Sequence, residues 1–167
     1  RLHDLGVMIN ASFVFGMDGD DETVFDRTVA WGIEQGIETA TFHILTPYPG
    51  TALHQRLETQ GRLTTNNWNV YDTRHVVFRP ARMSAATLEA GYWRAYREFY
   101  RWSAIWKGAG TKEALGRRLR HLAYAGGWKK LEPLWDLIIR TKRVADMRPM
   151  LESVLAGLRQ RRKARRV

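Results

Sequence analysis

The sequence predicts an α/β portion followed by an all-α portion, and three observations carry this expectation. A β-rich run, a helix-patterned stretch and a second β-rich run follow one another across residues 7–46. This is the layout of a βαβ unit, with parallel strands and a right-handed crossover. From Ser84 onward, apolar and aromatic residues recur at helical spacing. Seven Trp, six Tyr and six Phe in a chain that is 44% hydrophobic supply enough apolar bulk for a packed core.

Residues 7–15, Val-Met-Ile-Asn-Ala-Ser-Phe-Val-Phe, are apolar at most positions and read as a strand buried on both faces. Gly16 ends it, and Asp18, Gly19, Asp20, Asp21 and Glu22 form a turn into a helix N-terminus. That helix is expected from Glu22 to Gln35, with Val24, Phe25, Thr28, Val29, Gly32 and Ile33 facing inward and Gly36 as its C-cap. Thr39–Thr46 is the second strand. Pro47-Tyr48-Pro49-Gly50-Thr51 is a rigid turn, followed by a helix from Ala52 to Gln60 that Gly61 stops.

Residues 61–83 read as irregular, with a short extended piece at His75–Phe78. Ser84 caps a long helix to Trp106, with Leu88, Tyr92, Tyr96, Phe99 and Tyr100 on its apolar side and Gly108 and Gly110 as breakers. Thr111 is read as the cap of a helix to Tyr124, Gly126-Gly127 as a hinge, and Pro133 as the first turn of another helix. A last amphipathic helix uses Met150, Leu151, Val154, Leu155 and Leu158. The expected organisation is residues 1–60, 61–107 and 108–167, the last a basic helical region.

The net charge of +10 is uneven. Residues 1–110 carry 11 Lys and Arg against 12 Asp and Glu, whereas residues 111–167 carry 16 against 5. The run Arg159, Arg161, Arg162, Lys163, Arg165, Arg166 is the extreme. Such a region has two readings: a surface for RNA or anionic lipid, or a solvated helix end placed favourably at the negative pole of the helix dipole. Composition alone licenses only non-specific attraction to nucleic acid.

There is no cysteine, which removes disulfides, thiolate zinc sites, iron–sulfur ligation and a Cys nucleophile from this sequence. No apolar run has the length of a membrane span and no signal peptide opens the sequence, so a cytoplasmic location is the default. Arg1-to-Gly6 reads as the end of a helix running into a strand, and the chain is expected to begin inside a larger product.

The informative residues sit at the C-terminal ends of the two strands, where parallel α/β folds place ligands. These are Ser12-Phe13-Val14-Phe15-Gly16-Met17-Asp18-Gly19-Asp20 and Phe42-His43-Ile44-Leu45-Thr46-Pro47-Tyr48-Pro49-Gly50-Thr51. Together they resemble the last two strands of the radical S-adenosylmethionine barrel. The fifth strand of that family follows Gly-x-Ile-x-Gly-x-x-Glu. Ser12 stands at the first Gly, Val14 at the Ile and Gly16 at the second Gly, with one extra residue before Asp20 or Asp21 at the Glu.

The Pro-Tyr-Pro-Gly-Thr turn resembles that of family members carrying a cobalamin-binding domain. Gly61-Arg62-Leu63, Trp68, Tyr71-Asp72-Thr73, His75-Val76-Val77-Phe78, Pro80, Met83, Leu88, Gly91-Tyr92, Tyr96 and Phe99-Tyr100 are similar to the extension of the branch that includes hopanoid-biosynthesis enzymes.

The resemblance covers about residues 1–107. It implies the C-terminal βαβ portion of a partial (β/α)6 barrel followed by an all-α extension. It also implies S-adenosylmethionine, a 4Fe-4S cluster and cobalamin as cofactors of the parent protein, a methyltransferase or other C–C bond-forming enzyme. Ser12, Val14, Gly16, Thr46 and Pro47 become candidate cofactor contacts, and Asn10, Thr41 and His43 candidate substrate-facing residues. The cluster-binding Cys-x-x-x-Cys-x-x-Cys loop is absent from this sequence. The implied partners are the remaining half of the barrel, its cobalamin domain and a small or lipid-like substrate.

Two other readings stay open: a non-catalytic basic module contacting RNA or anionic lipid, and an inactive remnant whose two strands leave unpaired edges. Gly16 is either a close-approach point for a nucleoside or a plain turn residue. His43 is either a substrate-facing imidazole or a hydrogen-bonded core histidine. The acids at 18–22 lack the spacing of a calcium loop, and Gly108-Ala109-Gly110-Thr111-Lys112 has the wrong order for a phosphate loop. His3, His54, His75 and His121 lack metal-ligand spacing. Trp93, Trp102, Trp106, Trp128 and Trp135 are either packing anchors or, among basic residues, contacts for a lipid interface or single-stranded nucleic acid.

Overall fold

The computed structural model describes residues 2–3 and 5–140, with side chains through residue 129. The expected C-terminal helix and the arginine-rich run lie outside the described residues. The elements are β1 (Asn10–Phe15), α1 (Val24–Glu34), β2 (Thr39–Ile44), α2 (Ala52–Thr59), a 3-10 turn (Trp68–Val70), α3 (Ala85–Phe99), α4 (Trp102–Gly110) and α5 (Leu115–Arg140). This is a mixed α/β architecture with five α-helices and a two-stranded parallel sheet among the described residues. Residues through Gly127 form one compact unit, and those from Trp128 belong to a second.

The βαβ unit forms as its periodicity requires. β1 and β2 pair in parallel, with Asn10 opposite Thr39, Ser12 opposite Thr41 and Val14 opposite His43. Alternation then sends Ala11, Phe13 and Phe15 to one face with Ala40, Phe42 and Ile44. Phe42 is the centre of this face. Its ring stacks on Phe13 and Phe15 at 5.5 and 5.6 Å, and takes Tyr96 and Phe99 of α3 edge-on at 5.0 and 5.9 Å. Phe25 of α1 joins through Phe15 at 4.9 Å. Each such aromatic pair adds roughly 0.5–1.5 kcal/mol beyond the area that it buries.

Gly91 lets α3 reach this layer, because a Cβ there would stand 2.3 Å from the Phe25 ring. Leu63 and Phe78 form an isolated antiparallel bridge within the irregular segment, and Val77 and Phe78 are fully buried.

Unpaired strand edges were expected, and the outer edge of β2 is instead sealed by side chains and a loop. The Tyr100 hydroxyl accepts from the Ala40 amide at 2.9 Å and donates to the Ala40 carbonyl at 2.8 Å. The Tyr96 hydroxyl repeats the pattern on Phe42, at 3.2 and 3.4 Å. The Ile44 amide donates to the Thr73 carbonyl at 2.7 Å. Every second residue along that edge therefore has a partner. β1 pairs with no strand other than β2 among the described residues.

Several expectations change. The strand expected at 7–15 begins its ladder only at Asn10, and Leu5 and Val7 are exposed. It is covered on one face, not two: Asn10 and Ser12 are exposed and Val14 is 42% exposed, because α3 packs on the opposite face and α1 meets it through Phe25 and Trp31. The long helix expected to reach Trp106 breaks at Arg101, whose ψ of 139° is extended. The break turns Ala104, Ile105, Gly108 and Ala109 inward as α4 packs on α1.

Gly108 lies within α4, and Gly110 is its last residue. Gly108 is where His121 comes close, with its Nε2 2.9 Å from the position of a Cβ. Thr111 ends α4, its hydroxyl donating to the Gly108 carbonyl, and does not begin α5. α5 runs through Gly126-Gly127, where the first compact unit ends, and Gly126 receives the Trp102 ring. Pro133 sits in the interior of α5 and not in a first turn.

Tyr100→Phe leaves the buried amide and carbonyl of Ala40 unpartnered and lowers unfolding free energy by about 1–3 kcal/mol in denaturant titration. Val14→Lys is tolerated within about 0.5 kcal/mol on the uncovered face, whereas Phe42→Ala costs about 3–5 kcal/mol.

Candidate functional site: the open face of the sheet

The uncovered face carries Asn10, Ser12 and Val14 from β1 beside Thr41 and His43 from β2. The structure thus brings together five of the eight site residues expected from sequence. Val14 is apolar and the other four carry hydroxyl, amide or imidazole groups, so the face combines shape with a few directional polar groups. The Thr41 hydroxyl donates to the Ala11 carbonyl at 3.4 Å.

His43 is anchored through Nδ1, 3.1 Å from the Thr73 hydroxyl. Burial, and then the positive charge of Arg74, hold its pKa below the ordinary histidine value. The ring is therefore neutral at physiological pH, with one nitrogen able to donate and the other to accept.

Thr73 was not singled out as a site residue. Its φ is +65°, a left-handed conformation that β-branched residues rarely adopt, and it is the one described non-glycine residue there. Such strain amounts to roughly 1–3 kcal/mol and concentrates at functional positions. The loop is held by Asp72, which accepts from the amides of Arg74 and His75 at 2.9 and 3.2 Å and from His75 Nδ1 at 2.9 Å. Burial pushes the Asp72 carboxyl up, but these donors together hold it below the usual carboxylate range. The legible signal was the Asp at 72, whose side chain folds back on the amides two and three residues on.

The remaining three expected residues lie at the strand ends but point elsewhere. Gly16 is buried with φ +98°, and a Cβ there would stand 2.9 Å from Leu88 Cδ2 and 3.3 Å from the Phe78 ring. Fold packing by itself thus requires glycine at this position. Its amide and that of Met17 both donate to Asp20 Oδ2 at 2.9 Å. Pro47 is fully buried, and the Thr46 hydroxyl turns back to the Ile44 carbonyl at 3.0 Å. Thr51 caps α2, accepting from the His54 amide at 3.2 Å, and Gly50 takes φ +80° in the turn before it.

The acids of the first turn are used structurally. Asp20 closes the turn, Asp21 accepts from the amide and hydroxyl of Thr23, and Asp18 pairs with Arg56 and Arg62 at 3.3 and 2.9 Å. No group of three His, Asp or Glu side chains capable of holding a metal occurs among the described residues. No described helix is long and apolar enough to cross a membrane.

A second polar cluster lies at the N-terminal end of β2, away from these strand ends. Glu38 is buried and joins Lys112 Nζ at 3.0 Å, His3 Nε2 at 3.2 Å and the Ile9 amide at 2.9 Å. Lys112 also donates to the Gly36 carbonyl at 2.6 Å. Burial pushes the Glu38 carboxyl up, but the Ile9 amide, Lys112 and His3 together bring it below the ordinary glutamate value. Buried His121 stands 4.0 Å from Glu38, its Nδ1 without a hydrogen bond, beside a cavity of about 10 Å³ that both residues line. Desolvation lowers the His121 pKa more than the Glu38 charge raises it.

An unfolded chain therefore binds a proton at position 121 before the folded one does. Stability is complete above the ordinary histidine value of about 6.5 and falls as pH drops below it. Protonation of Glu38 adds a further loss in the acid range below its ordinary value. Denaturant titrations should show the decline between about pH 7.5 and 5.5 reduced in His121→Gln. At neutral pH, Lys112→Met should cost about 3–5 kcal/mol by leaving the Glu38 carboxylate uncompensated.

Sequence comparison places the later part of the chain in a family. Residues 51–162, more than half of the chain, match the domain of unknown function DUF4070. The chain is 35% identical over 107 residues to bacteriochlorophyllide d C-12(1)-methyltransferase of Chlorobaculum tepidum, which is 64% of this chain and 23% of that protein. It is 28% identical over 100 residues to bacteriochlorophyllide d C-8(2)-methyltransferase of the same organism, covering 60% and 22%. With anaerobic magnesium-protoporphyrin IX monomethyl ester cyclase of Cereibacter sphaeroides it shares 24% identity over 144 residues, covering 76% and 23%. The chain spans less than a quarter of the length of each of these relatives. From α2 through the described part of α5, and on to residue 162, the chain belongs to the DUF4070 family.

Proposed function

We propose that this chain forms the closing edge of a radical S-adenosylmethionine barrel within a longer enzyme that transfers a methyl group or forms a C–C bond. The observation that carries the reading is the one-sided sheet. Two parallel strands have one face packed beneath α3 and, through Phe13–Trp31 and Phe15–Phe25, beneath α1. Their other face presents Asn10, Ser12, Val14, Thr41 and His43 with no helix over it among the described residues. In a closed or partly closed barrel that face is the inner wall, and the free edge of β1 is where preceding strands pair. The sealed edge of β2 suits the last strand of an incomplete barrel. The names of the relatives support the chemistry: two are methyltransferases and one a cyclase, all acting on large planar tetrapyrroles. A flat, mostly apolar substrate of that class is the substrate proposed here.

The implied cofactors fit unequally. Ser12 and Val14 are exposed on the inner wall, and together they offer a small hydroxyl and an apolar contact to the adenosyl part of S-adenosylmethionine. The donor set for a 4Fe-4S cluster is not in this sequence, which has no cysteine, so its ligands would come from elsewhere in the longer protein. When bound, the cluster supplies the electron that starts radical chemistry. Cobalamin dependence rests on the resemblance of the Pro47–Thr51 turn. Within the reaction chamber, Val14 shapes the wall and His43, held neutral on Thr73, presents a donor or acceptor to substrate without adding charge.

The test uses the longer product that contains this sequence. Val14→Arg places a long charged side chain on the inner wall and should weaken S-adenosylmethionine binding at least about tenfold in equilibrium dialysis. Unchanged affinity, with the melting temperature preserved, would remove this face from the cofactor pocket.

A further inference from the structure

A second uncovered surface lies on α4 and the start of α5, and the sheet site makes no use of it. Trp102 and Trp106 are one helical turn apart and are 48% and 63% exposed. On α5, Leu115 and Leu119 are likewise one turn apart and are 70% and 57% exposed. Leu122 and Gly126 continue the same helical face, and Gly126 lies against the Trp102 ring, 3.3 Å from the position of a Cβ. That contact joins the two stripes into one apolar surface along the helical hairpin. Exposed aromatic and leucine side chains gathered in this way mark an interaction site more often than solvent-facing decoration.

The charge around the stripe identifies the partner. Lys107, Arg118 and Arg120 are exposed on the same two helices. Trp and Leu on one side of a helix, with Lys and Arg beside them, is the composition of helices that lie in the plane of an anionic membrane. Each basic residue near such a surface contributes about 1 kcal/mol, and Trp prefers the headgroup level. Nucleic acid shares the attraction to positive charge but gains its stacking from aromatic faces. Here half of the stripe is leucine, and Trp102 already packs on Gly126. The observations therefore favour lipid.

We propose that the α4–α5 hairpin docks on an anionic lipid surface, with Trp106, Leu115 and Leu119 entering the headgroup layer and the neighbouring basic residues meeting the lipid charge. Contact is peripheral, since no described helix is long and apolar enough to cross a membrane. The sheet face has no part in this docking, so the proposal stands or falls separately from the assignment of that face.

The test is co-sedimentation of the whole 167-residue chain with phosphatidylcholine vesicles, with and without one third phosphatidylserine. The chain is expected to sediment with the anionic vesicles and not the neutral ones. Raising salt from about 0.1 M to about 0.5 M should weaken the association by screening. Trp106→Ser with Leu119→Ser should weaken it at least about tenfold. Leu115→Ser, at the most exposed position, provides a second variant with little bearing on the fold. Far-UV circular dichroism and melting temperature confirm that each variant is folded. Equal sedimentation of wild type and both folded variants overturns the proposal. So does retention on a single-stranded oligonucleotide without vesicle binding. A concentration-dependent dimer dissolved by the same substitutions would assign the stripe to a second copy and also overturn it.

Discussion

The arrangement depends on two tyrosine hydroxyls that replace a missing strand. Tyr96 of α3 and Tyr100 at its C-cap stand one turn apart, and each both accepts from and donates to one residue of β2. A strand edge repeats every second residue and a helix face repeats near every fourth, so one helix laid along the strand meets it twice. The polar groups of Ala40 and Phe42 are thereby satisfied in a buried setting where open groups would be costly. The same helix sends Phe99 into the aromatic layer around Phe42. Edge, core and helix position are settled by one contact surface.

Covering one face so completely leaves the other face without a packed layer among the described residues. Asn10, Ser12, Val14, Thr41 and His43 need no core role, and their side chains are available to something outside the described residues. The Thr73 loop marks where the fold accepts strain to hold a group. Its carbonyl ends the sealed edge at Ile44, while its hydroxyl holds His43. One residue in an uncommon backbone conformation therefore serves both the edge and the open face.

The Glu38–Lys112 pair performs a comparable task at the opposite end of β2. It ties the start of the strand to the connection between α4 and α5, through a charge pair that also satisfies the Ile9 amide and the Gly36 carbonyl. Buried ion pairs add little net stability over apolar packing, but they are unforgiving of misplacement. The pair fixes how the helical region meets the βαβ unit within the first compact unit. That is the face of an α/β fold where stability, and not ligand binding, is usually concentrated.

Local patterning alone determined the βαβ unit, its parallel strands, the cap at Ser84, and the alternation that brings Ser12, Val14, Thr41 and His43 to one side. These follow from periods of two and three to four residues, which neighbouring positions encode directly. Only tertiary structure decided that β1 is covered on one face, because hydrophobicity along a strand does not say how many helices will pack on it. It alone decided that the helix after Ser84 breaks at Arg101, and that Gly126 takes a tryptophan ring. Thr73 and Lys112 became important through partners 30 and 76 residues away. No local pattern carries that information, since such contacts exist only once the chain has folded around them.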